Sequence, residues 1–138
     1  MQLSNEEEDY NLSLSKFESM LKTNKVLFFD SEEFEEIILH YLDMGKVALA
    51  KKALKLALEQ HPRSTGLRLV QVEMMVYDNK LEPAEKLLNE LYAIEPNNEE
   101  IYIQKANIYS KRDNHEKAVE LLKTALEYTD DYADVYNL

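Results

Sequence analysis

The apolar positions of this chain come back every 34 residues. Ala50, Ala84 and Ala118 stand at that spacing, as do Leu54, Leu88 and Leu122, the large apolar series Tyr41, Met75 and Tyr109, and the prolines Pro62 and Pro96. Several residue types sharing one period mark a supersecondary unit that cannot bury its apolar face alone and is stable only when stacked on its neighbours. The pattern predicts helices at about 31–43, 47–60, 65–77, 81–93, 99–111 and 115–127, two to each period, and no strand.

Turn and cap chemistry falls in the same register. Met44-Gly45-Lys46, Asp78-Asn79-Lys80 and Arg112-Asp113-Asn114 separate the two helices of each period. Gly, Asn and Asp tolerate the left-handed conformation that ends a helix. Between periods, Asp30-Ser31-Glu32-Glu33 and Asn97-Asn98-Glu99-Glu100 place cap residues before glutamates, which satisfy free N–H groups and complement the helix dipole. Pro83 falls near the start of a second helix, where its missing N–H costs little.

Counted from Ser31, Thr65 and Glu99, each block puts a small residue at its twentieth position, a leucine one turn later, and Ala57, Leu91 or Ala125 at its twenty-seventh. Phe34 and Tyr102 give an aromatic at the fourth position, where the middle block has Arg68. This resembles the tetratricopeptide repeat, a helix–turn–helix of 34 residues, over three blocks, 31–64, 65–98 and 99–132, without insertion or deletion. The family's Leu-Gly pair is replaced by Ile37-Ile38, Gln71-Val72 and Lys105-Ala106, and Asp130 stands in place of the third proline. An invariant spacing and only two glycines argue against pentatricopeptide and Sel1-like repeats. The resemblance implies an all-α fold, an α-solenoid of antiparallel helix pairs wound as a right-handed superhelix.

The two ends depart from the blocks. Residues 10–30 are expected to form an amphipathic helix and a linker, because Tyr10, Leu14, Phe17, Met20 and Leu21 recur at helical spacing, and 1–9 is expected to be disordered. Residues 133–138 read in register as the start of a fourth block, with Tyr136 at the aromatic position, so the polypeptide reads as part of a longer array.

Composition narrows the function classes. No run of about 18 apolar residues exists to span a membrane. The acidic first nine residues are not a signal peptide. The absence of cysteine excludes disulfides and thiolate chemistry, and with the preceding points suggests a cytoplasmic chain. A net charge of −11, with ten acids against three lysines in residues 1–36, weighs against nucleic acid and anionic lipid. Catalytic motifs are missing: His40, His61 and His115 share no helix face, and no phosphate loop, nucleophile elbow or calcium loop is present. The reading is therefore non-enzymatic, with no cofactor and no metal.

What the resemblance implies is a concave groove lined by first helices. Carried over position by position, it comprises Glu32, Glu35, Glu36, Leu39, Leu42 and Asp43; Gly66, Leu69, Val70, Glu73, Val76 and Tyr77; and Glu100, Ile103, Gln104, Asn107, Ser110 and Lys111. Those expected to meet a partner are Glu32, Glu35, Leu39, Leu42, Leu69, Val70, Glu73, Val76, Tyr77, Ile103 and Asn107. The clamp by which some family members hold chaperone C-terminal carboxylates would fall on Glu35, Leu39, Val70, Glu100 and Gln104, none of them cationic. The expected function is a protein-interaction scaffold whose groove takes a basic, apolar peptide or helix. The alternative is the targeting arm of an enzyme whose catalytic domain lies beyond Leu138. Self-association through the open C-terminal end is a further expectation.

Overall fold

The computed structural model describes residues 5–129, with side chains from Leu12 onward. Among these residues there are seven helices and no strand: α1 (Asn5–Thr23), α2 (Ser31–Asp43), α3 (Val47–Gln60), α4 (Thr65–Tyr77), α5 (Leu81–Ile94), α6 (Glu99–Lys111) and α7 (His115–Glu127). The fold class is all-α, as the repeat predicts. The six paired helices fall where the period puts them, α5 ending one residue later. The N-terminal helix is a correction: it begins at Asn5, so residues 5–9 are helical rather than disordered. Residues 1–4 and the expected fourth-block start at 133–138 lie outside the described residues.

Each turn within a pair is built the same way. Gly45, Asn79 and Asp113, 34 residues apart, have φ of 72°, 60° and 62°. This left-handed residue reverses the chain and lets the next N–H reach back over the helix end: Lys46 donates to the Tyr41 carbonyl at 2.8 Å, Lys80 to Met75 at 2.8 Å and Asn114 to Tyr109 at 2.9 Å. The period read in the apolar residues is thus also a period of backbone geometry.

The chain divides into two compact units, Met1–Arg68 and Leu69–Leu138. In the first, Phe17, Phe34, Ile37, Ile38 and Tyr41 are fully or almost fully buried with Ala50, Ala53 and Ala57. Phe29 anchors the connector between α1 and α2, its ring 5.2 Å from Phe34 and 6.0 Å from Phe17. The end of α3 holds the same connector: Phe29 N–H donates to Gln60 Oε1 at 3.2 Å, Gln60 Nε2 donates to the Leu27 carbonyl at 2.8 Å, and His61 Nε2 lies 2.6 Å from the Phe29 carbonyl. α1 is fastened to α2 by polar contacts as well. The buried Ser13 hydroxyl donates to Glu33, which also closes a capping box with Asp30, and the Tyr41 hydroxyl donates to Glu18 at 3.3 Å. Ser13's donation is the main reason the Glu33 carboxyl sits below its usual range.

In the second unit, Leu69, Val72, Val76, Ala84, Leu88, Leu91, Ile101 and Ile108 form one core. Ala84 is fully buried and Ala118, its repeat equivalent, is 6% exposed, as helices crossing closely require. Replacing Ala118 with leucine is expected to overpack that crossing and cost about 1–3 kcal/mol, measured by chemical denaturation. A variant as stable as the parent would contradict the assignment of Ala118 to a close crossing.

Candidate partner-binding surface

The expected surface residues divide between the two units. In the first, α2 presents Glu32, Glu36 and Asp43 to solvent, with Leu39 42% exposed and Glu35 and Leu42 half-buried. Gly66 leaves room for Glu35: a Cβ at residue 66 would lie 2.6 Å from Glu35 Oε1, so a larger residue there would make the flexible carboxylate shift. Burial, then the neighbouring charges of Glu32 and Glu36, push the Glu35 carboxyl above its usual range. Glu32, Glu33, Glu36 and Asp30 also line a cleft of about 540 Å³ with Leu12, Ser13 and Lys16 of α1. The N-terminal helix therefore borders the acidic face of α2.

In the second unit the expected residues separate by depth. Tyr77 is 68% exposed, Glu73 and Asn107 are exposed, and Ile103 is half-buried. Leu69, Val70 and Val76, expected to line the groove, are buried, and Leu69 and Val76 belong to the core with Leu88, Leu91, Ile101 and Ile108. The reason is geometric, since a helix packed on its neighbours turns more than one stripe inward. The apolar surface left on α4 is essentially Tyr77.

Gln104 joins α4 to α6. It is 2% exposed, and its Nε2 donates at 3.3 Å to the Leu69 carbonyl, to Glu73 Oε1 and to Glu100 Oε1. Two carboxylates from different helices are thereby gathered about one buried amide. Burial raises the Glu100 carboxyl above its usual range, Gln104's donation opposes that, and Glu99 adds to the rise. Lys111, one repeat position from the same face, donates to the Val76 carbonyl at 3.0 Å. Glu73 and Tyr77 are one turn apart and share a side of α4. The face therefore offers an aromatic ring beside a pair of carboxylates.

The bridging role of Gln104 has no signature in the sequence beyond its groove position. Nor does the sequence pattern mark a second feature: Tyr102 stacks on Tyr128 with centroids 5.5 Å apart and meets Tyr92 edge-on at 6.2 Å, while the Lys105 ammonium lies 4.9 Å from the Tyr92 ring centre. Burial lowers the Lys105 ammonium's pKa. The histidines are packing or surface groups, His61 in the connector contact and His115 exposed, 4.0 Å from Asp113. Among the described residues no group of three or more metal-ligating side chains occurs, and no helix is long and apolar enough to cross a membrane.

Comparison with curated proteins gives no match. The family model described as tetratricopeptide repeat matches residues 75–138, which takes in the end of α4 and all of α5, α6 and α7. Repeats of this kind form non-catalytic modules that mediate protein–protein interaction. Over residues 75–138 the chain is similar to the tetratricopeptide-repeat family, and its helix pairs and repeated turns have the form of that repeat.

Proposed function

We propose that the chain is a scaffold or adaptor module that takes a basic, apolar segment of a partner protein on the first helices of its repeats. The observation carrying this reading is the α4–α6 face: Tyr77 stands 68% exposed beside Glu73, which Gln104 ties to Glu100. An exposed aromatic next to paired carboxylates suits a lysine or arginine side chain flanked by an apolar anchor, since the cation is attracted by both the ring and the carboxylates. Ile103 and Asn107 extend this surface along α6. Glu32, Glu35, Leu39 and Leu42 give α2 the same mixture of acid and apolar groups. A net charge of −11 favours encounter with a cationic partner. A cytoplasmic location belongs to the same reading, on the absence of cysteine from the chain.

The test uses a pair of short amphipathic peptides with identical leucine positions, one bearing lysines and the other glutamates at the remaining sites. Fluorescence anisotropy is expected to show saturable binding of the lysine peptide alone. Its association should slow as salt rises, because exposed charges are screened beyond about 10 Å at 0.1 M ionic strength. Glu35→Lys/Glu73→Lys should slow association further. Equal binding of both peptides, or indifference of the lysine peptide to that charge reversal, would overturn the groove reading and leave only the interaction-module class.

A further inference from the structure

Residues 24–30, which join α1 to α2, make their hydrogen bonds on alternate residues. Leu27 N–H donates to Met20 Sδ at 3.3 Å and its carbonyl accepts from Gln60 Nε2 at 2.8 Å. Phe29 N–H donates to Gln60 Oε1 at 3.2 Å, and its carbonyl oxygen lies 2.6 Å from His61 Nε2. Among the described residues no hydrogen bond involves the main-chain groups of Val26 or Phe28. The side chains alternate in step: Phe29 is buried and Leu27 half-buried, whereas Val26 and Phe28 are 67% and 75% exposed. In an extended chain the N–H and C=O of one residue point to one edge and those of the next to the other, while side chains alternate between faces. The connector therefore has one edge fastened to α1 and α3 and one edge open, with Val26 and Phe28 on its outward face.

We propose that residues 25–29 form a pairing edge for a second copy of this chain, the two segments running antiparallel about Leu27. Unpaired N–H and C=O groups along an extended edge are a template for another strand. What selects a second copy is that the segment matches itself. Antiparallel pairing centred on Leu27 sets Val26 of each copy opposite Phe28 of the other, and these are the residues whose main-chain groups lie on the open edge. Each Val26–Phe28 pair then exchanges both of its hydrogen bonds, and its two side chains meet on the outward face. Charge sets the direction. Lys22 and Lys25 precede Leu27, Asp30 and Glu32 follow it, and all four are exposed. An antiparallel pair places the basic end of one copy beside the acidic end of the other, where a parallel pair would place like against like. The contact is isologous and closes as a dimer. It goes beyond the partner-binding reading, since it assigns another face and another occupant, and it can fail while that reading stands.

Sedimentation equilibrium of the full chain from about 10 µM to 1 mM, the range in which a small interface associates, is expected to show a monomer–dimer equilibrium. Val26→Pro removes a donor on the open edge and none of the bonds that Leu27 and Phe29 make, so it should weaken the dimer about tenfold or more and leave the urea midpoint unchanged. Phe28→Lys should do the same by removing the outward apolar pair, with no proline geometry to accommodate. Because the sequence has no cysteine, the pairing can also be read directly. Mixing Val26→Cys chains with Phe28→Cys chains under mild oxidation should give the mixed disulfide about tenfold over either same-site disulfide, since residues directly opposite lie about 5.5 Å apart at Cα, within disulfide reach. A monomer at every concentration overturns the proposal, whether or not another protein's extended segment takes the edge. A dimer indifferent to both substitutions, or mixed and same-site disulfides in the proportions of random collision, would overturn it as well.

Discussion

Truncation of Phe34 to alanine is expected to cost about 3–5 kcal/mol of stability, the range for removing a fully buried aromatic ring. Phe34 is 0% exposed and its ring is shared between two structures: the connector, through Phe29 at 5.2 Å, and the end of α3, through His61 at 6.1 Å. Its loss leaves a cavity and also frees Phe29, whose carbonyl is held by His61. The substitution therefore acts on α1 as well, because Phe29 also packs against Phe17. Urea unfolding should show a lower midpoint at an unchanged m value, the sign of lost stability rather than an altered denatured state. A cost below about 1 kcal/mol would mean that the unit's core can close over the missing ring and is not organised around it.

How far the sequence could be read depended on which interactions repeat. Helix positions and turns were legible because each block solves the same problem: a left-handed residue at 45, 79 and 113 and a small residue at 50, 84 and 118 are local requirements, visible in residue type. Arg68 shows where residue type misled. It breaks the aromatic pattern, yet its Nη2 donates to the Pro62 carbonyl at 3.0 Å, and the Tyr102 hydroxyl one block later donates to the Pro96 carbonyl at 2.8 Å. Arginine and tyrosine both carry a donor on a long side chain, so the contact to the loop survives the change of chemistry.

Surface assignment was harder to read for a physical reason. A groove position is defined by spacing, but its exposure depends on how many neighbours the helix has. Leu69, Val70 and Val76 sit on α4 at spacings the family uses for partner contact, and α5 and α6 claim two of them for the core. Tyr77, at the end of the same helix, escapes because α4 stops there. Gln104 looks like an ordinary surface amide until its donors are followed to two carboxylates and a carbonyl. Burying an amide is tolerable only when it is so satisfied, and that condition depends on three segments at once. The N-terminal helix is longer than its apolar spacing predicts for the opposite reason. Its apolar spacing starts only at Tyr10, while the preceding turns are acidic and carry no periodic signal.

Leu88→Ala and Tyr77→Ala are expected to separate the fold from its surface. Leu88 is 0% exposed at the centre of the second unit, in contact distance of the residues that α6 contributes, so removing its three outer carbons should cost about 2–5 kcal/mol. Tyr77, on the neighbouring helix, is 68% exposed, and its truncation should leave stability within about 0.5 kcal/mol of the parent. Binding should rank the two the other way once folded protein is compared. With the lysine–leucine peptide as probe, Tyr77→Ala should weaken binding about tenfold or more, mainly by faster release, as loss of an aromatic anchor does. Leu88→Ala, in conditions where it remains folded, should bind as the parent does, because Leu88 has no surface to offer. Thermal and urea unfolding supply the first comparison and stopped-flow anisotropy the second. If Tyr77→Ala releases the peptide at the parent rate, the α4–α6 face is not where a basic segment docks; if Leu88→Ala unfolds no more readily than the parent, the core assigned to the second unit is wrong.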